Sequence, residues 1–194
     1  MAADRRRRRS VLIATFLIFF LPVMAAWLLN VYAPDWRPFG TLNHGTLVEP
    51  VRQVSSANLQ HLDGGAMDAD YLSGRWTLVH LLDGDCGRSC IEALARSHQV
   101  QQALGDDMQR VQLLLVLKES VDLETTDLPP RVALAMANDT WLAGFSFARA
   151  APREKLTIYL VDPQGYLMMR YPQDVDRRGL LADLERLLKI SKIG

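Results

Sequence analysis

The chain has 194 residues, two cysteines and a formal net charge of zero, but that charge is unevenly placed. Five of the 22 cations are Arg5 to Arg9, so the region from residue 33 onward holds 17 Lys and Arg against 21 Asp and Glu, a formal −4. An acidic region is a poor match for a phosphate backbone, which sets nucleic acid aside as a partner.

Val11 to Tyr32 is an uncharged apolar stretch interrupted only by Thr15, Pro22 and Asn30. As a helix it spans roughly 33 Å, the thickness of a bilayer core. A lone span has to be helical, because lipid offers its backbone no hydrogen-bond partner. Trp27, Tyr32 and Trp36 cluster at its far end, where amphipathic rings prefer the interface, and the Arg run at the near end stays cytoplasmic by the positive-inside rule. The expected plan is a cytoplasmic tip over 1–10, a transmembrane helix over 11–32, a tether and lead-in over 33–58 and an extracytoplasmic domain over 59–194. A cleaved signal peptide ending near Val23-Met24-Ala25 is the alternative. Apolar residues continue for seven positions past Ala25, which favours an uncleaved anchor. Either reading exports the domain, and in a bacterial cell it then lies on the periplasmic side of the inner membrane.

Pro34, Pro38, Gly40 and Gly45 mark residues 34–46 as a tether. Arg75 to Leu82 is a short apolar run rich in strand formers, followed at once by Cys86 and Cys90. Ile91 to Leu104 has helical character. Val111 to Leu117 reads as a second buried strand, and Pro130 to Ala137 as a short helix opened by its proline. Leu156 to Val161 is a third strand, Asp162-Pro163-Gln164-Gly165 a turn, and Tyr166 to Tyr171 the returning strand of a hairpin. Leu180, Leu181, Leu184, Leu187 and Leu188 form the stripe of an amphipathic helix. Strand–helix–strand order implies a parallel pair with a right-handed crossover, and the hairpin adds antiparallel strands. The expected fold is α/β, a mixed central sheet with helices on both faces.

Cys86 and Cys90 are the candidate site. They lie where a buried strand ends and a helix begins, and their spacing brings two side chains to one side of a helical turn. Two such sulfurs can close a small disulfide, exchange it with another thiol, or share a soft ion such as Cu(I). They can also be an inert staple, which export permits, although so short a loop restricts the unfolded chain little. A helix N-terminus and Arg88 favour a thiolate here, while Asp83 and Asp85 oppose it. His80, inside the first strand, reads as a core histidine. His44 and His61 precede the core, and His98 lies about 12 Å along a helix from Cys90, too far to share a metal with it. Met168 and Met169 occupy adjacent strand positions and face opposite ways, with core packing the better reading for them than copper ligation.

The run R-W-T-L-V-H-L-L, the C-x-x-x-C pair Cys86 and Cys90, and I-Y-L-V-D-P-Q-G some seventy residues later resemble the Sco (SenC) family. The resemblance covers roughly residues 60 to 190. It implies a thioredoxin-like fold behind one N-terminal membrane helix, and work in cytochrome c oxidase assembly, with an oxidase subunit or other assembly factors as partners. It also implies Cu(I) held by Cys86 and Cys90. Two departures stand out. Gly87 replaces the proline that normally follows the first cysteine of the family. The third copper ligand, a histidine in the family, falls at about Glu154 within Arg153-Glu154-Lys155, and no histidine follows His98. A carboxylate is a hard donor and a poor partner for Cu(I), so the third ligand is left unassigned. The resemblance therefore points to a divergent Sco-like thiol–disulfide factor. A non-catalytic scaffold of the assembly machinery and a carrier holding Cu(I) by its two cysteines are the alternatives.

Overall fold

Three apolar runs form the centre of the folded unit, and their side chains are almost wholly withdrawn from water. They are β3 (Trp76–Leu82), β4 (Val111–Leu117) and β6 (Leu156–Val161). A strand with both faces covered needs no polar alternation, which is why each reads as a continuous hydrophobic run. The structure, a computed structural model, describes residues 2–32, 43–118, 128–145 and 156–191, with side chains from Arg8 onward. It divides into two compact units, 1–42 and 43–194.

In the first unit α1 runs from Ala2 to Tyr32 with Pro22 inside it. Its segment Arg8–Tyr32 is long and apolar enough to cross a membrane, with a mean hydropathy of 2.5. Thr15 satisfies its hydroxyl within the helix by donating to the Val11 carbonyl at 2.9 Å.

The second unit is a seven-stranded mixed sheet in the order β1-β7-β6-β3-β4-β5-β2. Strands β3, β4 and β5 (Val132–Ala137) are parallel, while β6, β7 (Tyr166–Pro172), β1 (Thr46–Gln53) and β2 (Leu59–Gln60) pair antiparallel to their neighbours. The Asp162 turn closes the β6–β7 hairpin. Its carbonyl accepts from Gly165 N at 2.9 Å, and its carboxylate accepts from Gln164 N and Tyr166 N at 2.9 and 2.7 Å. Gly165 sits at φ +82°, a conformation open to glycine at no steric penalty.

One face of the sheet packs on α3 (Asp139–Ala143), where Trp141 and Phe145 meet Val79, Leu114, Tyr159 and Val161. On the other face lie α2 (Arg88–Ala103) and α4 (Arg177–Ile190). The leucine stripe is borne out there: Leu180, Leu184 and Leu188 are buried against Leu78, Leu113 and Ile158. Each such side chain contributes about 1.5–3 kcal/mol by leaving water.

Two expectations are corrected. Residues 130–137 are not a helix: Val132–Ala137 is strand β5, paired with β4 from Leu113↔Val132 to Leu117↔Met136. Arg131 stands at φ 65°, which breaks any helix begun at Pro130, and the V-A-L-A-M-A alternation then suits a pleated strand. Nor does the folded unit wait until residue 59. It begins at Asn43, and β1 adds to the sheet edge against β7 within what was read as tether and lead-in. Only Val48 of β1 points inward, and Pro50 interrupts the strand, so little in its pattern marks it as a strand. An edge is where proline is tolerated.

Candidate functional site

The polypeptide leaves β3 at Leu82, turns through Asp83-Gly84-Asp85 and enters α2 at Arg88. Gly84 has φ +104°, and the turn is held by Gly87 N donating to the Asp85 carbonyl at 3.0 Å. Gly87 caps the helix with φ −78° and makes no side-chain cap bond. Cys90 N and Ile91 N both donate to its carbonyl, at 3.0 and 3.2 Å.

This geometry brings Cys86 and Cys90 together, with Cα atoms 5.2 Å apart and the sulfurs joined in a disulfide. The two cysteines differ sharply in surroundings. Cys90 is 2% exposed and belongs to an apolar cluster of Leu82, Ala93, Leu94, Leu115, Leu117 and Leu156. Cys86 is half-buried at the edge of that cluster, ahead of the helix, in a loop whose Asp85 and Gly87 are exposed, as are Arg88 and Ser89 of the first helical turn. An incoming thiol therefore reaches Cys86 first, and Cys90 is shielded by leucines.

Once the bond opens, a Cys86 thiolate meets the helix N-terminus as a favourable field and the neighbouring Asp85 carboxylate as an opposing one. The first turn of α2 carries no acidic residue and no side-chain cap, so its N-terminal dipole is left to act on the loop ahead of it. Asp83, one of the opposing carboxylates, is drawn off by Lys118 at 3.6 Å. A Cys90 thiolate would sit among apolar side chains and be destabilised.

His80 lies on β3 with no exposed surface, and its Nε2 is 2.9 Å from Ser97 Oγ on α2. Burial lowers its pKa to about 4, with the backbone of Leu78 and Leu114 pulling weakly upward, so the ring is neutral. It is a core histidine, as its position in the strand implies. His44 is engaged with Asp183. Met169 is buried and receives the Tyr171 hydroxyl at 3.3 Å, while Met168 is half-buried on the opposite face of β7.

For copper, the donor set is incomplete among the described residues. Both sulfurs are spent on each other, and no group of three His, Cys, Asp or Glu side chains converges there. The Arg153-Glu154-Lys155 position lies outside the described residues. Two sulfurs and no imidazole do not make up the Cys-Cys-His set that the resemblance implies.

Sequence reasoning missed a second polar cluster. Asp183 of α4 is 2% exposed, and its Oδ2 accepts from His44 N at 2.8 Å, Gly45 N at 2.9 Å and the Tyr171 hydroxyl at 3.2 Å. Oδ1 faces His44 Nδ1 at 3.2 Å and Arg186 Nη1 at 3.8 Å. Burial first, then the Asp183 charge and the hydrogen bond to it, hold the Tyr171 hydroxyl far above the ordinary phenol range. The available signal was an aspartate set inside the leucine stripe, one position before Leu184.

With strand, cysteine loop and helix in place, the molecule can be compared with others. Residues 76–191 match the family model of the transmembrane-like, thioredoxin-like, C-terminal domain, which is more than half of the chain. The chain belongs to that family. As a transmembrane-like thioredoxin-like protein it shares its fold with solved Sco structures. Apo Sco1 from Thermus thermophilus superposes with a TM-score of 0.59 at 17% identity, covering 78% of this chain and 100% of that one. Copper-bound yeast Sco1 gives 0.56 at 14%, covering 78% and 96%. BsSco, a member of the Sco family of cytochrome c oxidase assembly proteins in which a disulfide switch was identified, gives 0.51 at 13%, covering 80% and 100%. No curated protein matches the chain by similarity. At these identities the likeness establishes the thioredoxin-like fold.

Proposed function

We propose that this is a membrane-anchored, periplasmic, Sco-like thiol–disulfide factor of a bacterial inner membrane that serves cytochrome c oxidase copper-site assembly. The observation that carries the reading is the asymmetric disulfide: one sulfur half-exposed before a helix N-terminus, the other sealed beneath leucines. Arg5 to Arg9 ahead of an apolar span support export of the domain. The likeness to BsSco, a member of a family of cytochrome c oxidase assembly proteins, supports the oxidase connection.

The chemistry needs no group beyond the two sulfurs. In the reduced protein, generated by an external dithiol, the Cys86 thiolate attacks one sulfur of a partner disulfide. That S–S bond breaks, the partner's other sulfur leaves as a thiolate, and a mixed disulfide forms. Cys90 gives up its proton and attacks Cys86 Sγ, closing the 86–90 bond and releasing the partner's second thiol. Two electrons pass from the pair to the partner. The lost imidazole makes sulfur exchange a better fit than copper carriage.

The full chain, equilibrated in detergent with glutathione buffers of graded ratio, is expected to move reversibly between dithiol and disulfide. Alkylation followed by mass measurement reads this as a two-thiol shift. A pair that stays fully oxidised or fully alkylatable at every ratio contradicts the proposal and favours a scaffold role.

A further inference from the structure

A cleft of about 400 Å³ is lined by Ser89, Glu92 and Arg96 of α2 and by Gln173 and Asp174 between β7 and α4. Ser89 is the residue before Cys90, so one lining residue of the cleft is bonded directly to the cysteine pair's helix end. Its polar groups alternate in kind. Arg96 is fixed by Nη2 donating to the Gln173 carbonyl at 2.6 Å, while its buried Nε has no partner among the described residues. The Ser89 hydroxyl adds a further donor. Glu92 and Asp174 are exposed acceptors on opposite walls.

Donors and acceptors set side by side match a peptide backbone, which offers both at each residue. The charge balance refines the match. Arg96 is turned inward onto Gln173, so the accessible rim is the two carboxylates, and a cationic side chain is the complement. Rim charges of this kind act mainly on encounter and partner choice rather than on the sulfur chemistry.

Building on the thiol-exchange reading, we propose that this cleft is the docking site for a polypeptide segment bearing Lys or Arg beside its reactive cysteine. The cleft holds the partner's chain while its sulfur meets Cys86. A small dithiol, with no backbone and no charge to place there, bypasses it.

The test uses reduced full-length protein in detergent and two disulfide-bonded peptides identical except for Lys or Glu flanking the cysteines. At low salt the Lys peptide is expected to react about tenfold faster, the gap closing as salt rises. Glu92→Lys with Asp174→Lys is expected to reverse the preference, while the rate at which dithiothreitol reduces the oxidised protein stays unchanged. A distal pair, Asp106→Lys with Glu185→Lys, changes net charge equally and is expected to keep the wild-type preference. Equal rates for the two peptides, a preference that survives the cleft reversal, or one abolished equally by the distal pair would overturn the docking site, while normal dithiothreitol exchange would leave the thiol chemistry standing. A protein inert to dithiothreitol as well would sink both.

Discussion

Replacing Asp183 with alanine is expected to lower the unfolding free energy of the folded unit by about 3 kcal/mol, whereas asparagine lowers it by about 1 kcal/mol. The carboxylate is buried on α4 and satisfies His44 N, Gly45 N and the Tyr171 hydroxyl through one oxygen. Alanine leaves the two backbone donors facing a void and the Tyr171 hydroxyl with Met169 Sδ alone, and an unmet buried donor loses its hydration with nothing in return. Asparagine keeps an oxygen for them and turns its amide toward His44 Nδ1, which accepts in the neutral ring. Repacking around alanine is obstructed, since Gly179 already sits so close that an added Cβ there would lie 2.8 Å from the His44 ring. Urea unfolding of the two variants beside the wild type checks this. Equal losses for alanine and asparagine would show that the cluster contributes packing and not hydrogen bonds.

The second large effect is on acid stability, through His80. Its folded pKa of about 4 lies below the ordinary 6.5, so the unfolded chain takes up a proton that the folded one refuses. The stabilisation from the neutral buried ring is complete above about pH 6.5 and is lost progressively as pH falls toward about 4, on the order of 3 kcal/mol in all. Carboxylates titrate in part of the same window, so the difference between two proteins isolates the ring. His80→Leu combined with Ser97→Ala removes both the imidazole and its hydroxyl partner. This double variant is expected to show a shallower fall in stability between pH 6.5 and 4 than the wild type. Parallel curves would mean that His80 takes up its proton without disturbing the fold.

The sheet was largely legible because its strands announce themselves. Val111 to Leu117 and Leu156 to Val161 are buried on both faces, so the apolar run and the strand share the same ends. The cysteine loop was legible for a related reason, since a buried strand running into a helix places its connecting residues at the mouth of the sheet. What failed was signalled by contacts distant in sequence. Residues 132–137 carry three alanines and follow two prolines, so local preference favours a helix start, while pairing with β4 decides for a strand. Strand β1 shows one buried residue and a proline, and only β7 beside it makes it a strand. Asp183 reads as a surface acid until His44, 139 residues earlier, is seen folded onto it. The unequal burial of Cys86 and Cys90 likewise cannot be read from a C-x-x-x-C spacing, because Leu115, Leu117 and Leu156 come from two other strands.

Trapping of a mixed disulfide with single-cysteine variants examines the sulfur asymmetry most directly. Reduced Cys90→Ser, offered a peptide disulfide, is expected to accumulate a stable adduct on Cys86, because the resolving sulfur is gone. Cys86→Ser is expected to form adduct at least tenfold more slowly, because its remaining thiol lies under leucines and ionises poorly. Adducts forming at equal rates on the two variants, or on neither, would contradict the assignment of Cys86 as the attacking sulfur and, with it, the exchange chemistry proposed for this protein.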